Sequence, residues 1–178
     1  MRRMRPFFYW LALVGFALSA LVHLATFVGV NPQGIFPGVW VLHLGIFLVW
    51  VPAIFGAEKL GKWPTRGKLW GFLVEKGPRW MQVLCVILAV NAVFNFLFTG
   101  CVLNEGGGPG RIDGRPVLHH GGEVIRELTE EEFEKHQAYV VRVFSAIWLV
   151  FYLSAAMLLR ARVQADLEQK REQEAERS

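Results

Sequence analysis

Two histidines, His23 and His43, lie within stretches of apolar residues, where an ionisable side chain is costly unless it finds a partner. Neutral imidazole is a ligand for transition metals and for haem iron. Both histidines are ten residues away from residue 33, the middle of the short segment between their apolar stretches. On neighbouring antiparallel helices they are therefore expected at one depth, about 10 Å from the helix ends. This spacing predicts a candidate site for a metal ion or a b-type haem.

Three further polar residues are expected at the same depth. Asn95 belongs to a third apolar stretch, and Arg142 and Ser145 belong to a fourth. Each lies at a similar distance from the end of its stretch that is expected on the same side as residue 33. We call His23, His43, Asn95, Arg142 and Ser145 the polar layer. One interpretation is a ligand site, with Arg142 close to any carboxylate or propionate. The other is a hydrogen-bonded network that satisfies the histidines and ties the helices together.

A second pair of histidines, His119 and His120, stands directly before two glycines in the segment between the third and fourth apolar stretches. Adjacent histidines beside a Gly-Gly pair are either metal ligands or part of a β-turn. Both residues are therefore kept as further metal-site candidates, with the turn as the alternative.

The four apolar stretches are each long enough to cross a lipid bilayer as a helix, which takes about 20 residues. Of the 178 residues, 53% are hydrophobic and 19% are charged, and the mean hydropathy is +0.34, a composition typical of membrane proteins. We therefore predict an all-α membrane protein built as a bundle of four transmembrane helices. The predicted spans are 7–30, 38–56, 80–103 and 138–159.

The segments between the spans differ strongly in positive charge. Segments 1–6, 57–79 and 160–178 together hold 14 Lys and Arg residues, whereas 31–37 holds none and 104–137 holds four beside eight acidic residues. Because positive residues stay on the cytoplasmic side, both termini are predicted to be cytoplasmic. The compact loops and this charge asymmetry are typical of a multi-pass protein of the bacterial inner (plasma) membrane.

The basic loop 57–79 mixes Lys and Arg with Trp, Leu and Phe. Such a segment favours contact with anionic lipid at the membrane surface. The lipid bilayer is therefore an expected partner of both the spans and this loop. The tail 160–178 carries charges of both signs at helical spacing, and it is predicted to extend the fourth helix into the cytoplasm.

The outer loop 104–137 begins with a glycine-rich stretch that predicts flexibility and then shows two signals of order. Residues 117–120 and 123–128 flank a Gly-Gly pair, which predicts a β-hairpin. Thr129 followed by Glu132 is the pattern of a capping box, so the fourth helix is predicted to begin near residue 130, outside the bilayer.

The spans contain no acidic residue, and the chain has no P-loop, GxSxG or HExxH motif, which argues against common hydrolases and ATPases. Its basic residues flank apolar runs instead of forming one face, so no nucleic-acid partner is expected. We expect a non-enzymatic accessory or interaction protein with a protein partner or as a homo-oligomer. One alternative is a metal- or haem-binding subunit using His23 and His43. Another is a small oligomeric channel or transporter lined by two polar stripes, one of Asn91, Asn95 and Thr99 and one of Arg142 and Ser145.

Overall fold

The protein is described by a computed structural model over residues 5–55 and 78–177. Within these residues the chain is mostly helical, and four helices are long and apolar enough to cross a membrane. The long helices are α1 (Arg5–Phe27), α3 (Val41–Phe55), α4 (Arg79–Phe98) and α5 (Glu130–Ala175). The connection from α1 to α3 consists of a one-turn helix and a 3₁₀ turn, which are α2 (Pro32–Ile35) and Pro37–Trp40.

Helix α5 is the centre of the fold. In the 18-residue apolar window of its candidate span Glu130–Gln164, 67% of the residues are buried, compared with 22%, 22% and 17% for the windows of the other three spans in chain order. Helices α1, α3 and α4 each pack against α5, and its large side chains Trp148, Leu153 and Leu159 are buried. The outer helices carry exposed Leu, Val and Phe on their remaining faces. Such faces are compatible with lipid contact, because lipid tails are as apolar as these side chains.

A small antiparallel sheet precedes α5. Its strands are β1 (Gly108–Ile112), β2 (Arg115–His120) and β3 (Glu123–Glu127), in the spatial order β1-β2-β3. Gly121 and Gly122 both have positive φ in the turn between β2 and β3, a conformation that glycine adopts without a Cβ clash. The sheet contacts α5 through a small core of its own, formed by Leu118, Leu128 and Phe133.

The start of α5 is held by a capping box. The Thr129 hydroxyl accepts from the Glu132 N–H at 3.2 Å, and a Glu132 carboxylate oxygen accepts from the Thr129 N–H at 2.8 Å. Two N–H groups at the helix end are thereby satisfied. From Glu130 the helix continues through the charged tail as far as Ala175.

Several segments differ in detail from the expectations drawn from the sequence. Helix α1 ends at Phe27, and Gly29 follows with φ +81°, a left-handed conformation that is common directly after helices. The predicted hairpin is part of a larger sheet, because the glycine-rich stretch before it supplies strand β1. Helix α4 is followed by a π-helical turn, Thr99–Leu103. The lipid contact predicted for loop 57–79 falls on residues of which 57–77 lie outside the described part of the chain.

Candidate functional site

Helices α1 and α5 run antiparallel, and polar contacts join them near the end that carries the sheet, which we call the sheet end. The outermost contact is made by Asn31, just beyond α1. Its amide nitrogen donates to Gln137 Oε1 at 3.0 Å and to Glu134 Oε2 at 2.5 Å. The segment after α1 is thereby fastened to the first turns of α5.

Arg142 makes the next contact toward the interior. Its Nε donates to Thr26 Oγ1 at 3.2 Å, and its Nη2 donates to the Thr26 carbonyl oxygen at 2.5 Å. The guanidinium carbon also lies 4.4 Å from the Phe27 ring centroid and 5.3 Å from that of Tyr139. Thr26 is in the last turn of α1, where carbonyl groups lack helical partners and a cation is favoured. Arg142 therefore caps the C-terminal end of α1.

A hydrogen-bond chain crosses three helices one turn deeper. Asn95 Nδ2 donates to Asn91 Oδ1 at 2.7 Å, and Asn91 Nδ2 bonds to His23 Nε2 at 3.2 Å. His23 Nδ1 bonds to Ser145 Oγ at 2.9 Å, and that hydroxyl donates to the Arg142 carbonyl oxygen at 3.1 Å. An amide nitrogen can only donate, so His23 Nε2 accepts and the ring proton resides on Nδ1. We call Asn95, Asn91, His23 and Ser145 the hydrogen-bond chain.

The hydrogen-bond chain occupies both ring nitrogens of His23. The residue is 6% exposed, and its partners lie on α4 and α5. A metal ion or haem iron binds an unprotonated ring nitrogen with a free lone pair. Ligation at His23 would therefore break one of these two hydrogen bonds and leave Asn91 or Ser145 without its partner.

His43 is attached to α5 separately. The indole nitrogen of Trp148, a residue that is fully buried, donates to His43 Nδ1 at 3.0 Å. The imidazole also meets the rings of Phe47 and Phe144 edge to face, with centroids 6.3 Å and 5.8 Å away. His43 is half-buried and lies in the first turn of α3. Each histidine of the polar layer thus has its own partners on α5.

The structure joins most of the polar layer, in part through residues that the sequence analysis did not single out. His23 and Ser145 are bonded directly, whereas Asn95 reaches His23 only through Asn91. The partners of Arg142 and His43, namely Thr26 and Trp148, were missed. Asn91 was expected on the same helix face as Asn95, which it precedes by one turn, but it was not expected as a partner of His23.

The other metal-site candidates lie on strand β2. His120 is exposed, and His119 is half-buried, with Nε2 2.5 Å from the position that a Cβ on Gly110 would occupy. The glycine therefore leaves the space that the His119 ring fills. Within residues 5–55 and 78–177, no group of three or more His, Cys, Asp or Glu side chains is placed to hold a metal ion.

The sheet is fastened to α5 by charged contacts. Arg126 donates to Glu132 at 3.0 Å and to Glu105 at 3.2 Å, and Arg111 forms a two-point contact with Glu130, at 2.6 Å and 2.9 Å. The hydrogen bonds that Arg126 donates, to Glu132 first and to Glu105 second, raise the pKa of its guanidinium. The arginines stay charged, and hydrogen bonds lower the pKa of the Glu130 and Glu132 carboxyl groups, so both ion pairs are present at neutral pH.

A second arginine of α5 caps a helix at the opposite end. Arg162 is 1% exposed and donates from Nη1 to the Pro52 carbonyl at 3.0 Å and from Nη2 to the Ile54 carbonyl at 3.2 Å. These carbonyls belong to the last turn of α3. Arg142 and Arg162 are 20 residues apart on one helix, a rise of about 30 Å, which equals the thickness of a bilayer's hydrocarbon core.

The groups that meet at Arg142 and along the hydrogen-bond chain are amides, an imidazole, hydroxyls and one guanidinium group, joined to one another or to backbone carbonyls. Such a set can position helices, and it can exchange a proton only by breaking its own hydrogen bonds. Comparisons of the chain with protein-family models, with curated proteins and with solved structures found no match.

Proposed function

We propose that this protein is a multi-pass inner-membrane protein with a non-enzymatic accessory or interaction role, in which the hydrogen-bond chain serves to hold the helices together. The observation that carries this proposal is the state of His23, whose two ring nitrogens are both engaged by other helices. A histidine satisfied in this way favours a structural role over ligand binding.

The membrane location and its orientation have separate support. Four helices are long and apolar enough to cross a membrane, and the outer three expose apolar faces. The excess of Lys and Arg at the termini and in loop 57–79 favours cytoplasmic termini. The three-stranded sheet then lies on the outer side.

The sheet supplies the surface for an interaction role. It is attached to α5 by the core of Leu118, Leu128 and Phe133 and by ion pairs from Arg111 and Arg126, so it forms a platform at the sheet end. Ile112, Val124 and Ile125 are 38%, 49% and 42% exposed there. Exposed aliphatic side chains on such a platform favour contact with another protein.

An optical spectrum and elemental analysis of the detergent-purified protein test the structural role. We expect no Soret band and no stoichiometric metal in the wild-type protein, and the same result for the double variant His23→Ala/His43→Ala. A Soret band or bound metal that the double variant loses would contradict the proposal and make this a cofactor-binding subunit.

Site-specific photo-crosslinking in cells tests the interaction role. A photoreactive residue at Val124 is expected to give a discrete adduct with one protein, whereas one at Gln164, exposed on α5 far from the sheet, is not. Equal labelling at the two positions, or none at Val124, would contradict a partner at the sheet.

A further inference from the structure

His43 holds a hydrogen-bond donor that the fold does not use. Trp148 Nε1 carries a hydrogen and can only donate, so its bond to His43 Nδ1 at 3.0 Å requires that Nδ1 accept. In the neutral imidazole the proton then resides on Nε2. No residue in the described part of the chain accepts from His43 Nε2.

The unused donor reaches the surface of the protein. The buried side-chain polar atoms without partners in the described residues are Ser19 Oγ and Thr99 Oγ1, and His43 Nε2 is not among them. His43 is half-buried, and its neighbours Leu44 and Phe47 on α3 are 67% and 59% exposed. Phe47, one turn later, shares the face of the helix on which His43 lies. The N–H group is thus at the edge of an apolar face.

The depth of His43 limits what can accept from it. The candidate span begins at Pro37, so His43 lies six residues inside it, about 9 Å at a helical rise of ~1.5 Å. The head-group layer on each side of a bilayer is roughly 5–8 Å thick, which puts His43 just inside the hydrocarbon. Water is scarce there, and an unsatisfied N–H costs several kcal/mol.

The ring is also held in place. Trp148 fixes Nδ1, while Phe144 and Phe47 meet the imidazole edge to face. Trp40 packs against both Phe144 and Trp148, with centroids 5.1 Å and 5.7 Å away, and its own indole nitrogen is bonded to Gln33. The Nε2–H group is therefore presented in one orientation, with little side-chain entropy left to lose when it binds.

We propose that His43 Nε2 donates to the ester carbonyl of a phospholipid acyl chain, forming a specific lipid site beside α3 at the sheet end. A neutral donor at this depth selects a neutral acceptor, and ester carbonyls lie at the boundary between head groups and hydrocarbon. The acyl chain then packs along Phe47 and the exposed apolar face below it. This site depends on the membrane location proposed above, but it does not depend on the proposed accessory role.

A comparison of ester and ether lipids tests the site. Purified protein is placed in nanodiscs of equal parts diester and diether phosphatidylcholine with matched chains, and the lipids kept after mild delipidation are counted by native mass spectrometry. The two lipids differ in the carbonyl groups alone. We expect about fivefold enrichment of the diester lipid on wild-type protein, the gain from one net hydrogen bond.

Variants assign the enrichment to His43. His43→Phe is expected to abolish it, whereas His43→Gln, which keeps an acceptor for Trp148 and a donor for the lipid, retains at least half. Leu44→Ala is the matched control on the same turn and keeps the full enrichment. As a second readout, the Nε2–H signal of ¹⁵N-histidine-labelled protein is expected to shift between pure diester and pure diether nanodiscs.

Three outcomes would overturn the proposal. The first is equal retention of the two lipids by wild-type protein, and the second is enrichment that persists in His43→Phe. The third is displacement of the diester lipid by a few mole per cent of a short-chain quinone, which would mean that His43 donates to a quinone carbonyl. Failure of every variant to enter nanodiscs would instead count against the membrane location itself, so the two proposals fail in distinguishable ways.

Discussion

The two histidines of the polar layer differ in how their ring nitrogens are used. His23 bonds to Asn91 through one nitrogen and to Ser145 through the other, and it is almost fully buried. His43 uses one nitrogen, and its ring lies at the edge of an apolar face. Histidine can therefore join helices at one position and offer a donor to a ligand at the other, because the neighbouring residues determine which ring nitrogen remains free.

Loss of the His23 ring is expected to destabilise the protein. In His23→Leu, Asn91 and Ser145 each lose a buried partner, so the free energy of unfolding should fall by about 1–3 kcal/mol. Detergent-denaturation curves measure the change. His120→Ala, at an exposed position, is the control and should change the curve little. Equal effects would mean that the hydrogen-bond chain contributes nothing to cohesion.

Among the long helices, α5 organises the fold because each of the other three is joined to it by its own set of hydrogen bonds. Arg142 caps α1 and Arg162 caps α3, while Asn91 reaches α5 through His23. Tyr152 adds a further hydrogen bond between helices, because its hydroxyl donates to the Leu42 carbonyl oxygen of α3 at 2.8 Å. Helices that share no hydrophobic drive to associate in lipid depend on such packing and polar contacts.

Replacement of Arg142 tests the capping of α1. In Arg142→Leu the two hydrogen bonds to Thr26 are lost, while the desolvation cost of a charge near the span end is recovered, so we expect a net loss of about 1–2 kcal/mol in the free energy of unfolding. Arg142→Lys should recover less than half, because an ammonium group lacks the planar guanidinium fork.

Arg115→Leu is the matched control for Arg142→Leu. The ion pair of Arg115 with Glu127 is 3.5 Å long, and its side chains are 76% and 72% exposed, so the loss should stay below about 0.5 kcal/mol. Similar denaturation midpoints for Arg142→Leu and Arg115→Leu would contradict a capping role for Arg142.

Gly15 tests the close approach of α1 to α5. A Cβ at this position would lie 2.2 Å from Tyr152 Cε1, and the buried tyrosine has no room to retreat, so Gly15→Ala should cost about 1–3 kcal/mol of the free energy of unfolding. At Gly100, where nothing lies within 4 Å of the added carbon, the same substitution is the control. A thermal-unfolding midpoint in Gly15→Ala no lower than that of Gly100→Ala would refute the close packing.

Across residues 5–55 and 78–177, the fold has a polar end and an apolar middle. The sheet, its ion pairs and Asn31 gather at one end of α5, while Arg142 and Arg162 bracket about 30 Å of helix between them. This separation along one axis is what a bilayer-spanning protein requires, since charged groups are tolerated near the interfaces and costly between them.

A topology reporter fused after Ser178 tests the proposed orientation. We expect cytoplasmic behaviour, with an alkaline-phosphatase fusion inactive and a fluorescent-protein fusion bright, because the positive residues of the termini and of loop 57–79 resist translocation. The reciprocal fusion in the turn at Gly121 should give the opposite pattern. A periplasmic reporter after Ser178 would require either the inverted orientation or an odd number of spans, and each would overturn the proposed arrangement.

Local features were readable from the chain without its partners. Four apolar runs predicted four helices of spanning length, because a backbone in lipid must satisfy its own hydrogen bonds. Thr129 and Glu132 predicted the start of α5, and the Gly-Gly pair predicted the turn between β2 and β3. Strand β1 was not recognised, since three of its five residues are Gly or Pro and its strand conformation depends on pairing with β2, which lies elsewhere in the chain.

Which polar side chains meet could be determined only from the folded chain. The depth of His23 and Ser145 and the shared face of Asn91 and Asn95 followed from counting residues. The bond of Asn91 to His23, and the partners Thr26 and Trp148, did not. A span that is apolar all round carries little periodic signal for its rotation, because the lipid-facing and protein-facing sides have nearly the same composition. Rotation and neighbour choice are therefore set by close packing between helices, which is a property of the assembled structure.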